Sequence, residues 1–220
     1  MVTSFFAIND FVEKAEKNAA FHKSRLKGNQ HEKTNFGVNS MVREMTETNL
    51  RSAFAGESQA HMRYSIYAER AKDEFPNVSR LFTAVAFAEQ IHATNHYRNI
   101  ETKGGATTVS AAVFGTRTTS EDLQAGIDGE TFEITEMYPV YKAVAEFQDE
   151  KGAVMSFNAA YQAEQVHLDF YQRAKEAVDQ GNDFEVGEIQ ICSVCGYTLE
   201  GDAPEFCPVC GAPREKFKPF

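Results

Sequence analysis

Apolar residues recur at three- and four-residue intervals along four long stretches of the chain, and each stretch stops at a proline, glycine or asparagine break. The spacing predicts helix A over residues 42–75, closed by Pro76-Asn77, and helix B over 78–103, closed by Gly104-Gly105. Residues 104–129 are rich in Thr, Ser and Gly and sustain no helical period, so they read as a long crossover returning the chain for the third helix. Helix C is predicted over 130–150, bent near Pro139, and helix D over 152–180, stopped by Gly181-Asn182-Asp183. The pattern is mainly α, with a four-helix bundle across residues 41–182. An extension precedes it, residues 1–40, with one amphipathic helix over 9–26 and a polar linker over 28–40. A small separate module follows it, residues 186–220.

The predicted apolar faces carry acids where a core should carry hydrocarbon. Glu57 lies in line with Leu50, Phe54, Ala60, Tyr64, Ala68 and Ala71; Glu89 shares a face with Phe82, Val85, Ala86 and His92. Glu164 lines up with Phe157, Ala160, Tyr161, His167 and Tyr171, while Glu133 and Glu136 are followed on one side by Met137, Val140 and Val144. A buried unpaired carboxylate is costly or takes up a proton, and several together repel one another. Cations resolve both problems. The acids also repeat: Glu57 then Glu89-x-x-His92, and Glu133 then Glu164-x-x-His167, at intervals of 32 and 31 residues. A Glu and a His one helical turn apart reach the same ion or adjacent ions, and carboxylate plus imidazole suits iron or manganese. The expectation is a carboxylate-bridged dimetal site of approximate two-fold symmetry. Glu136 breaks the symmetry, because the first half carries only Ala60 in the matching place. His61 and His96 read as polar neighbours of the site, and His22 and His31 as exposed.

The terminal module carries a second metal signature, Cys192-x-x-Cys195 and Cys207-x-x-Cys210, each knuckle followed by a glycine. Four thiolates make a tetrahedral site for zinc or for a single iron, and spacing alone does not choose between them. The chain has only these four cysteines, and two close pairs read as metal ligands in a reducing compartment rather than as a disulfide framework. A net charge of −10 without a basic face excludes nucleic acid as a partner. No run approaches the roughly 18 apolar residues of a membrane span, and Met1 to Phe11 lacks the charged leader of a signal peptide; the expected location is cytoplasmic. No Gly-x-Gly-x-x-Gly fingerprint for a dinucleotide is present.

The motifs Phe54-Ala55-Gly56-Glu57-Ser58-Gln59-Ala60, Ala88-Glu89-Gln90-Ile91-His92, Thr135-Glu136-Met137-Tyr138-Pro139, Ala163-Glu164-Gln165-Val166-His167 and Cys207-Pro208-Val209-Cys210-Gly211 together resemble the rubrerythrin family over about residues 42–220. The resemblance implies a ferritin-like diiron bundle with a long crossover between its second and third helices, fused to a rubredoxin-like domain. It further implies two iron ions held by Glu57, Glu89, His92, Glu133, Glu136, Glu164 and His167, with Glu89 and Glu164 bridging and Glu136 exchanging with His92 at one iron. Tyr64 and Tyr141 match tyrosines that hydrogen-bond near such a site, and iron rather than zinc is implied at Cys192, Cys195, Cys207 and Cys210. The implied activity is reduction of hydrogen peroxide to water. Electrons would come through the four-cysteine iron from a rubredoxin or an NAD(P)H-dependent rubredoxin reductase, in a homodimer where one subunit's module lies beside the other's diiron site. A ferroxidase or iron-storage role, and a non-catalytic electron carrier, are the competing classes. The extension over residues 1–40 is outside the family pattern.

Overall fold

The structure, a computed structural model, describes residues 43–101 and 118–220. The predicted helix over 9–26, His22, His31 and the crossover through residue 117 lie outside the described residues. Two long helices, α1 (Glu44–Ala71) and α2 (Pro76–Arg98), form a hairpin over a short turn. The third rod is α3 (Thr119–Phe132), a π-helical turn (Glu133–Met137) and α4 (Tyr138–Phe147), and α5 (Lys151–Asp179) packs along it. Three short strands follow, β1 (Ile189–Cys192), β2 (Thr198–Glu200) and β3 (Phe217–Pro219), in an antiparallel sheet of order β2-β1-β3.

Local chemistry explains the boundaries. α2 starts on Pro76, whose missing N–H is no loss in a first turn, and the Asp183 carboxylate accepts from the backbone N–H groups of Asn77 (2.9 Å) and Val78 (3.3 Å). α3 starts on a capping box in which Thr118 Oγ1 accepts from Glu121 N–H and the Glu121 carboxylate accepts from Thr118 N–H. The third rod therefore begins at Thr119, well inside the stretch expected to be crossover. Its apolar side, Leu123, Gly126 and Ile127 ahead of Glu130, is short and glycine-interrupted, which masked its helical period. Pro139 cannot donate to the carbonyl one turn back, and the ladder widens just before it, with Tyr138 N–H bonding Glu133 O. The bend expected near Pro139 takes the form of this wider turn.

The bundle core is built from Tyr64, Tyr67, Leu81, Phe82, Val85, Leu123, Phe170 and Tyr171, and it runs on without a break into Ile189 and Ile191 of β1. The cysteine module thus shares its core with the bundle, and the described residues form one unit. Arg80 fastens the junction, donating to the carbonyls of Val186 (2.9 Å), Gly187 (3.0 Å) and Phe220 (3.2 Å). On the far side, Ala159 of α5 packs among Cys192, Cys195, Cys207 and Phe217.

Gly126 lets α3 close on α5: a Cβ there would stand 2.7 Å from the Tyr171 ring. Overpacking a filled core costs about 1–3 kcal/mol, and alanine recovers about 1 kcal/mol through helix propensity. Gly126→Ala is therefore expected to destabilise the chain by up to about 2 kcal/mol, read as a lower urea midpoint at unchanged slope.

Candidate metal centres

Four helices each send acids or imidazoles to one buried place. α1 contributes Glu57, α2 contributes Glu89 and His92, α3 contributes Glu130, and α5 contributes Glu164 and His167; all six are at most 1% exposed. Their donor atoms fall into two overlapping groups, Glu57-Glu89-His92-Glu164 and Glu89-Glu130-Glu164-His167, with atoms in each group within 4.8 Å of one another. Glu89 and Glu164 belong to both. That sharing is the geometry of two neighbouring cations bridged by two carboxylates.

The sequence reading placed Glu133 and Glu136 in the third rod's share of the site and missed Glu130. Glu136 is exposed, and the π-helical turn explains it: the wider turn brings Met137 and Tyr138 inward and rotates Glu136 to the outer side. Glu133 is only partly covered, yet it stands near enough for its charge to raise the carboxyls of Glu57 and Glu130. Burial, then Glu164 and Glu89, push Glu133's own carboxyl well above the ordinary range. Tyr64 is in place, its hydroxyl donating to Glu130 Oε1 at 2.8 Å. Tyr141 is not: its hydroxyl donates to Ser52 Oγ at 3.1 Å, and Tyr138 instead donates to Glu57. A signal for both corrections was available, because Tyr64 lies seven positions after Glu57 and Tyr138 eight after Glu130, the extra residue being absorbed by the wide turn. His61 faces the Ala86 carbonyl at 2.7 Å, outside the cluster. His96 is buried beside it, 2.9 Å from Ser156 Oγ and 3.2 Å from Tyr138 Oη.

Protonation shows how poorly this interior tolerates its charges. Burial, then neighbouring acids, drive Glu57 and Glu130 well above the usual carboxylate range, against the opposing hydroxyls of Tyr138 and Tyr64. Burial works against protonated His92 and His167, but Glu164 and Glu89 outweigh it and lift them to about 10 and about 9. Burial would raise Glu89, yet the imidazoles of His167 and His92 beside it hold it far below its ordinary value. Burial and the nearby His92 push His96 down to about 3, so it stays neutral.

The donor set fits metal. Glu57 Oε2, Glu130 Oε2, both Glu164 oxygens and His167 Nδ1 are buried without a hydrogen-bond partner, although His167 Nδ1 lies 2.6 Å from Glu164 Oε2. Such atoms face one another without a proton aligned between them. The second cluster fits as well: Cys192 and Cys210 sulfurs lie 3.7 Å apart, and Cys195 and Cys207 sulfurs 3.6 Å. Thiolates about 2.3 Å from a central ion stand about 3.8 Å apart along a tetrahedral edge. Gly196 and Gly211 take φ values of 82° and 73° and turn their N–H groups back to Cys192 O and Cys207 O, closing each knuckle.

Two outcomes follow for the bundle site. Glu130→Gln is expected to lower Fe(II) affinity at the bundle by about 10-fold or more, whereas Glu136→Gln leaves it within about twofold, both read by anaerobic equilibrium dialysis. With the bundle stripped of metal, His92 and His167 have folded-state values above the ordinary imidazole range, so their stabilisation is complete below about pH 6.5. It is lost as pH rises through about 9 to about 10. The melting temperature of the stripped chain is therefore expected to fall between pH 6.5 and pH 10, and to flatten over that window when the bundle is metal-loaded, because the ion replaces the protons.

The family model described as Rubrerythrin matches residues 48–175, and that described as Rubrerythrin, rubredoxin-like domain, matches residues 190–218. Rubrerythrin-2 of Clostridium acetobutylicum is 42% identical over 183 residues, covering 82% of this chain and 100% of that relative. Nigerythrin of Nitratidesulfovibrio vulgaris is 32% identical, covering 80% of this chain and 86% of its own length. A solved structure of nigerythrin in its fully reduced, all-ferrous state superposes with a TM-score of 0.68 at 30% identity, over 83% of this chain and 91% of that one. The fold is accordingly a ferritin-like bundle with a rubredoxin-like module, and its two clusters are a diiron-carboxylate site and a four-cysteine iron site. The chain belongs to the rubrerythrin family.

Proposed function

We propose that this chain reduces hydrogen peroxide to water at the bundle site, with electrons arriving through its four-cysteine centre. The observation that carries the reading is the pair of donor groups sharing Glu89 and Glu164, lying directly against the cysteine module. Two irons, when bound, supply the two electrons that peroxide needs, and two protons complete its conversion to two waters. Glu57, Glu89, Glu164, His92, His167 and Glu130 would hold them, with Glu133 at the edge. The protein's own contribution is a dry pocket of fixed geometry. Tyr138 and Tyr64, bonded to Glu57 and Glu130, keep hydroxyl protons at the two ends of the cluster, and burial pushes both phenols well above their ordinary range, so they remain donors.

Cys192, Cys195, Cys207 and Cys210 would hold the second iron, which when bound would supply single electrons to recharge the bundle. The donor is a rubredoxin or an NAD(P)H-dependent rubredoxin reductase acting as a separate protein. A reducing cytoplasm suits four cysteines that form no disulfide, and a homodimer is the assembly this reading expects. No helix among the described residues is long and apolar enough to cross a membrane.

Stopped-flow mixing of the fully reduced protein tests the assignment. Oxidation of the bundle site by one equivalent of peroxide is expected to outpace oxidation by oxygen by at least about tenfold, followed by appearance of the ferric-thiolate colour. Oxidation faster with oxygen, with Fe(III) released, would identify a ferroxidase; no oxidation by peroxide would leave an electron carrier.

A further inference from the structure

The cysteine module reaches into the bundle site at one residue that the activity does not yet account for. Thr198, the first residue of β2, is fully buried, and its Oγ1 lies 2.8 Å from His167 Nε2 and 3.1 Å from the carbonyl oxygen of Gly196. A hydroxyl has one proton. A carbonyl cannot donate, so both contacts are satisfied together only when the Thr198 proton goes to Gly196 O. The contact with His167 must then run the other way, from His167 Nε2–H to Thr198 Oγ1. An imidazole whose Nε2 carries the proton presents its lone pair at Nδ1, and His167 Nδ1 is the atom aimed at Glu164 Oε2 (2.6 Å) and Glu89 Oε1 (3.4 Å).

We propose that Thr198 is a positioning residue for the bundle site: from the cysteine module, its hydroxyl fixes the tautomer and ring orientation of His167 so that Nδ1 faces the cluster. The inference rests on the ligand reading given above. It makes the module a structural part of the bundle's metal site and not only its electron source. The rest of the contact is built to hold that hydroxyl in place. Gly196 sits so tightly on the edge of His92 that a Cβ would overlap the imidazole, which leaves only a glycine at that knuckle position. Asn95 Nδ2 donates to Val194 O at 2.9 Å, and Arg173 donates to Glu200 Oε2 at 3.2 Å, pinning the two ends of the segment that carries Thr198. His92 has no equivalent partner: its Nε2 is buried against Gly196 and unbonded. The Nε2 sides of the two histidines are therefore held unequally, one by a directed hydrogen bond and the other by packing.

Anaerobic Fe(II) titration of the full chain tests this, with the ferric-thiolate absorption as a report on the module. Thr198→Val is expected to weaken Fe(II) binding at the bundle by about 10- to 100-fold while the module's absorption stays unchanged. Thr198→Ser, which keeps the hydroxyl, is expected to stay within about twofold of the unsubstituted chain. Binding by the valine variant within about twofold, with the module intact, would overturn the proposal and leave the ligand reading standing. Failure of the unsubstituted chain to take up Fe(II) in the bundle would overturn both. Nitrogen-15 NMR of the Zn(II)-loaded, unsubstituted protein decides independently of any variant: a slowly exchanging proton on His167 Nε2 supports the role of Thr198, and a proton on Nδ1 refutes it.

Discussion

Burying six ionisable side chains in the middle of an apolar bundle is the constraint on which the rest of the structure turns. Glu57, Glu89, His92, Glu130, Glu164 and His167 come from four helices and are all withdrawn from water. Their desolvation is tolerable only with compensating positive charge, supplied by protons or by metal. The opposed protonation of neighbours in the cluster, Glu57 and Glu130 raised and Glu89 lowered, reflects one pool of charge shared among groups too close to titrate separately. Two cations between the shared carboxylates settle that competition at once. The same pocket then gains the dryness and fixed donors that make a bound oxidant react there rather than in solvent.

Much of this was legible in the chain. The Glu-x-x-His pairs at Glu89 and Glu164 stand on unmistakable apolar stripes, and the cysteine knuckles carry their own spacing. The third rod was harder to read. Its start was hidden by Gly126 and Gly129, which weaken helix propensity and become affordable only because Tyr171 packs over the first of them, a contact no local pattern reveals. The near-equality of the intervals 32 and 31 then favoured Glu133 as the partner of Glu57. Beyond Glu133 the π turn shifts the helical phase by one residue, so a reading that assumes a uniform period also misplaces Glu136 and Tyr141.

Corrected for that turn, the two halves of the bundle match more closely than their sequences suggest. Glu57 corresponds to Glu130, and Ala60 to Glu133, three positions on in each half. The tyrosines follow the same relation crosswise. Tyr64 on α1 bonds Glu130 on α3, and Tyr138 on α4 bonds Glu57 on α1. Each half thus orients the terminal carboxylate of the other, and helix packing and carboxylate placement become one property. Glu133 is what remains unmatched, an extra acid at the rim of one side only.

The cysteine module adds a second asymmetry to the cluster. The contact could not be read from sequence, since Thr198 and Gly196 look like ordinary strand and turn residues until β2 is laid against α5. Once there, they treat the two histidines differently, directing His167 by a hydrogen bond while His92 rests on the Gly196 backbone. An imidazole whose Nε2 is held only by packing gives up its orientation more readily than one whose second nitrogen is tied down. The unmatched acid is electrostatically sensitive to the loosely held ring: burial, Glu164 and Glu89 raise the Glu133 carboxyl, and the His92 charge opposes them. The extra carboxylate and the freer imidazole are therefore coupled. Glu130 and His167, each contacted by a hydroxyl from another element, form the more constrained side of the cluster.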